Sequence, residues 1–82
     1  MIRIDHVGIA VKDLERASET YARLLGKPSY KTETVASEAV ETAFFACGQT
    51  KVELLEAKSA ESAIARFIAK RGEGIHHIAF EV

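Results

Sequence analysis

Four side chains in this sequence carry the means for metal and proton chemistry: His6, His77, Glu53 and Glu41. The two histidines sit in near-copies of one segment. Ile4-Asp5-His6-Val7-Gly8-Ile9-Ala10-Val11 returns 71 positions later as Ile75-His76-His77-Ile78-Ala79-Phe80-Glu81-Val82. Ile, His and the final Val are identical, and the Val7/Ile78, Gly8/Ala79 and Ile9/Phe80 pairs exchange like for like. A duplicated strand with a His at one place in each copy suggests two ligands meeting across a pseudo-twofold axis. Two neutral imidazoles and a carboxylate on rigid strands suit a divalent ion: Zn, Co, Ni or Fe through the imidazoles, with the carboxylate widening the choice toward Mn. A single strand histidine is more often a partly buried packing residue, but packing alone does not explain two in equivalent places. Glu53 and Glu41 each also fit a solvated strand surface.

The elements that must position these groups follow from pattern. Residues 2–11 are β-branched and apolar and predict a buried strand. Asp13 offers an N-cap; Leu14, Ala17, Tyr21, Leu24 and Leu25 predict one apolar helix face; Gly26 and Pro28 end the helix. Two extended segments near 29–36 and 39–47 follow, then a turn at Gly48-Gln49-Thr50 and a strand from Lys51 to Glu56. Ser59 or Ser62 caps a second helix whose stripe is Ile64, Phe67 and Ile68, with Lys70 and Arg71 at its negative end. Gly72 and Gly74 close it, and 75–82 is the final strand. The fold class expected is α+β in the order βαβββ, then helix, then strand: a first module over 1–57, a connecting helix over 58–74, and the first strand of a second module over 75–82. An apolar final strand leaves an open edge for a partner chain, as in a dimer, or for more of the same gene product.

Alternation along the strands sets His6 with Ile4, Gly8 and Ala10, and His77 with Ile75, Ala79 and Glu81. The opposing sets are large and apolar and are expected beneath a helix. If Val52 and Leu54 pack under that helix, Glu53 joins the histidine side. Glu41 travels with Ala43 and Phe45 and is expected on the same concave surface. His76 is expected to face the core in a structural role.

Composition narrows the partners. A length of 82 residues allows one small domain, which buries roughly 60–65% of its unfolded surface and is marginal alone. Hydrophobic residues at 48% and charged residues at 28% are ordinary for a globular chain, and a net charge of −1 with scattered Lys and Arg argues against nucleic acid. No apolar run approaches the length of a membrane span, and the N-terminal residues do not resemble a signal peptide, so a cytoplasmic setting is expected. Cys47 is alone and is expected to be a small buried residue.

The segments Ile4-Asp5-His6-Val7-Gly8-Ile9-Ala10-Val11, Lys51-Val52-Glu53-Leu54-Leu55-Glu56 and Arg71-Gly72-Glu73-Gly74-Ile75-His76-His77-Ile78-Ala79-Phe80-Glu81-Val82 resemble the methylmalonyl-CoA epimerase family of the vicinal oxygen chelate (glyoxalase/bleomycin resistance/dioxygenase) superfamily. The last segment is the most specific part of the resemblance. It implies paired βαβββ modules forming a cup around one divalent ion. It assigns His6, Glu53 and His77 as metal ligands and Glu41 as one of two catalytic carboxylates, with a further ligand and the second carboxylate on a strand of the second module. The implied activity is interconversion of the C2 epimers of methylmalonyl-CoA, an acyl-CoA substrate, through a metal-stabilised enolate. Other readings are a glyoxalase I-like isomerase, an extradiol-type dioxygenase using the His/His/Glu set, or a metal-free small-molecule-binding module.

Overall fold

The computed structural model describes residues 2–82. It contains β1 (Arg3–Ala10), α1 (Leu14–Leu25), β2 (Lys31–Val35), a short 3-10 turn at Ala36–Glu38, β3 (Val40–Cys47), β4 (Thr50–Ala57), α2 (Ala63–Arg71) and β5 (Gly74–Glu81). The strands form one sheet in the order β2-β3-β4-β1-β5. The β1–β4 pair is parallel and every other pair antiparallel. This is the βαβββ order expected from the pattern, with a helix and a strand beyond it.

The helix boundaries lie where the capping residues place them. The Asp13 side chain accepts from the Arg16 amide at 3.1 Å, which satisfies one of the amides left free in a first turn. Gly26 adopts φ 81°, the left-handed conformation that ends a helix and that glycine enters without a Cβ clash. Ser62, rather than Ser59, caps α2 through its hydroxyl to the Ile64 amide at 3.1 Å.

The two faces of the sheet bury different clusters. Under α1 lie Ile9, Val11, Ala43, Phe45, Val52 and Leu54, packed by Leu14, Ala17, Tyr21, Ala22 and Leu25. Leu24, expected on the same stripe, is exposed: at 100° per residue it falls well off the line through Leu14, Tyr21 and Leu25. On the opposite face Ala10, Val40, Leu55 and Ile64 form a second cluster with Phe67 and Ile68 of α2. Because α2 covers only one end of that face, the other end is open.

Strand β5 departs from expectation. Its large apolar residues Ile78 and Phe80 are exposed, because α1 packs on β3 and β4 and does not reach them. Cys47 is also exposed, at the end of β3 beside the hairpin, so the expected burial is not found.

Candidate metal centre

The pairing of β1 with β5 gives the duplication its geometry. Val7 lies opposite Ile78, its own counterpart in the repeat; His6 lies opposite Ala79 and Gly8 opposite His77. A local twofold therefore passes between Val7 and Ile78, as the repeated His predicts. The register slips between Ile4 and His6 and again between Gly8 and Ile9. Asp5 on one strand and His76 on the other are the extra residues at these bulges, and they occupy the same place in the two copies. Simple alternation fails at both. His76 does not enter the core; it is exposed, stands edge-on to Phe67 with ring centroids 5.0 Å apart, and brings its Nδ1 within 2.9 Å of His77 Nδ1.

His6, Glu53 and His77 converge on the open end of the α2-side face. One donor atom from each lies within 4.8 Å of the other two. The imidazoles meet edge to face with centroids 5.2 Å apart, and His6 Nδ1 is 3.7 Å from a Glu53 oxygen. Gly8 makes this possible. A Cβ there would collide with His77 Cε1, so the His77 ring occupies the volume that any side chain would need. The donor set fits a divalent ion: two neutral nitrogens and one anionic oxygen are ligands such ions accept, and all three stand on neighbouring strands.

The surroundings of His77 favour its neutral form. Partial burial, reinforced by the neighbouring His6 and His76, lowers the His77 pKa from the usual imidazole value; Glu53 opposes this. The hydrogen bond from His6, with a second from Lys51, holds the Asp5 carboxyl below its ordinary range.

Glu41 is not part of this cluster. It shares its face of β3 with Ala43 and Phe45, which are buried under α1, so it points away from the histidines. Its oxygen is 3.4 Å from Lys58 Nζ, and its cross-strand neighbour Glu56 accepts from the Leu14 amide at the start of α1. The expectation that Glu41 lines the concave surface is corrected: residues of odd number on β3 belong to the helix side. The residues of β3 that do face the centre are Val40, Thr42 and Phe44, with Phe44 directly opposite Glu53. Thr42 is a buried polar residue on this wall. The parity was legible in the sequence, since Ala43 and Phe45 are the apolar partners of Val52 and Leu54.

Beside the cluster opens a cavity of about 600 Å³, running between the sheet and α2. Glu53 and His77 of the cluster line it together with Phe44, Leu55, Ile64 and His76, and so do Glu33 and Arg66. No helix among the described residues is long and apolar enough to cross a membrane.

Known proteins resemble this chain in sequence and in fold. Residues 5–82 match the family described as the Glyoxalase/Bleomycin resistance protein/Dioxygenase superfamily. The chain is 44% identical over 80 residues to the uncharacterized protein YqjC of Bacillus subtilis, covering 98% of this chain and 57% of that protein. It is 40% identical over 81 residues to the human mitochondrial methylmalonyl-CoA epimerase, covering 98% of this chain and 46% of the relative. Among solved structures, a variant of the Streptomyces coelicolor methylmalonyl-CoA epimerase in complex with 2-nitronate-propionyl-CoA superposes with a TM-score of 0.85 at 37% identity, covering 95% of this chain and 58% of that one. The chain thus spans about half the length of the relatives it matches.

Proposed function

This chain belongs to the glyoxalase/bleomycin resistance protein/dioxygenase superfamily, and from that premise we propose that it is the metal-binding part of an isomerase that interconverts the C2 epimers of methylmalonyl-CoA or a close acyl-CoA analogue. The observation that carries this reading is the meeting of His6, Glu53 and His77 at a cavity of about 600 Å³. Similarity to named methylmalonyl-CoA epimerases supports the substrate class.

His6, Glu53 and His77 would hold the divalent ion, with Co, Mn, Zn, Ni and Fe all compatible with the donors. When bound, the ion supplies Lewis-acid stabilisation of the enolate oxygens. The chain's own contribution is binding and orientation. Glu53 and His77 also line the cavity, so an acyl group carrying two carbonyl-type oxygens would lie there beside the residues that would hold the ion. Val40, Phe44, Leu55 and Ile64 give that group an apolar wall, which strengthens charge interactions at the centre. Proton transfer at C2 falls to a group on the cavity side, because Glu41 lies behind the sheet. The remaining architecture is proposed on the same basis: residues 1–57 as a first module, 58–74 as its connecting helix, and β5 as the first strand of a second module, in a cytoplasmic homodimer.

Deuterium exchange at C2 of methylmalonyl-CoA tests the reading. Full-length protein loaded with Co(II) is expected to exchange that proton with deuterated solvent, and His6→Ala or His77→Ala is expected to lose bound metal on elemental analysis and exchange together. Metal-loaded wild type without exchange would rule the reaction out. A second reading follows from the donor set, which is also the two-histidine, one-carboxylate face of non-haem Fe(II) oxygenases. Oxygen uptake with a catechol, in place of C2 exchange, would favour it.

A further inference from the structure

We propose that Asp5 is the positioning residue of this centre: its carboxylate fixes the His6 ring and tautomer so that Nε2 is the donor offered to the ion. The proposal rests on the metal-binding reading above and names a residue that the reading does not use.

The geometry begins with the bulge. In a regular strand Asp5 would point away from its neighbour His6; as the extra residue between Ile4 and His6 it is turned toward the same side. Asp5 Oδ2 then lies 2.9 Å from His6 Nδ1. An ionised carboxylate only accepts hydrogen bonds, so Nδ1 carries the proton and the lone pair of the neutral ring resides on Nε2. Glu53 does not compete for that proton, since its oxygen is 3.7 Å from Nδ1, beyond hydrogen-bonding distance.

Asp5 is itself held. Lys51 lies directly opposite His6 in the β1–β4 register and extends Nζ to 3.3 Å from Asp5 Oδ1. Arg3 approaches the same oxygen at 3.9 Å. Lys51, Asp5 and His6 thus form a chain that would end at the ion, the arrangement by which an outer carboxylate orients a metal-bound imidazole and raises its basicity. The second copy of the repeat places its own bulge residue at the same distance, with His76 Nδ1 2.9 Å from His77 Nδ1. The recurrence separates this contact from a casual surface ion pair: in both halves the residue before the ligand histidine occupies Nδ1.

The test uses the full-length protein with two readouts that need no turnover. In the metal-free wild type, long-range proton–nitrogen NMR is expected to find His6 with its proton on Nδ1. Co(II) titration is expected to give about 10- to 100-fold weaker affinity for Asp5→Ala, with the circular dichroism spectrum unchanged. Asp5→Asn keeps the shape, guards against a folding artefact and is expected to weaken binding similarly, while Asp5→Glu recovers part of the loss. Lys51→Met should fall between wild type and Asp5→Ala. A His6 proton on Nε2 in the wild type, or Asp5 variants that bind Co(II) within twofold of wild type, would overturn the proposal while leaving the metal site standing. A wild type that takes up no Co(II) would remove the site and the proposal together.

Discussion

The two copies of the repeated strand are alike in sequence and unlike in circumstance. β1 lies inside the sheet between β4 and β5, with Ala10 fully buried and Ile9 packed under α1. β5 is an edge strand whose Ile78 and Phe80 are exposed. The local twofold preserves pairing, bulges and histidines, and it does not preserve burial. Backbone register depends on hydrogen bonds between the two copies themselves, whereas burial depends on what else packs against each. The copies also differ beside their histidines: Gly8 leaves room for the His77 ring, while the equivalent Ala79 is tolerated beside His6.

The sharpest way to break this comparison is at those small residues. Gly8→Ala would place a Cβ in the volume of the His77 ring and is expected to weaken Co(II) binding by about tenfold or more. Ala79→Gly should change it little, and equal effects in the same titration would show that the two halves of the site are sterically equivalent after all. A second contrast uses Ile9 and Phe80, which are counterparts in the repeat. Ile9→Ala removes a side chain from the α1 cluster and is expected to cost about 2 kcal/mol in denaturant unfolding. Phe80→Ala should cost less, about 0.5 kcal/mol, since the residue is already largely exposed. A Phe80 cost equal to that of Ile9 would show β5 covered in solution.

Acid separates the copies more gently. The His77 pKa is lowered on folding, so the unfolded chain takes up a proton first as pH falls. Stability of the metal-free protein should therefore decline as pH drops from about 6.5 toward the lower folded value. Asp5, whose carboxyl is also depressed, contributes stability that is present above the ordinary aspartate value of 3.8 and is lost on further acidification. Denaturant midpoints measured from pH 8 to pH 5 should fall, and His77→Gln should flatten that slope; a slope unaltered by the substitution would assign it elsewhere. The smallest effect is expected behind the sheet. Glu41→Gln removes an ion pair with half-exposed Lys58, worth at most about 1 kcal/mol, and is expected to keep both metal and C2 exchange. Loss of exchange would return Glu41 to the site.

Much of the architecture could be read without coordinates. Asp13, Gly26 and Ser62 act locally, through hydrogen bonds and φ angles that depend on a few adjacent residues, so the helix ends follow from residue type. Glu53 could be placed on the histidine side because Val52 and Leu54 had to go under a helix, and the same parity applied to Ala43 and Phe45 assigns Glu41 to the other face. The periodicity of a strand is local information, and it is reliable while the strand is regular.

Side-chain chemistry and the duplication determined by themselves that two imidazoles would come together, because a strand pairing with its own copy must bring equivalent residues near one axis. Tertiary structure alone decided the bulges at Asp5 and His76, the exposure of Phe80 and the close approach of His77 to Gly8. Each of these depends on the register between segments far apart in the chain and on which surfaces the helices reach. No short-range preference encodes either, so the residues around the ligands had to be found in the fold.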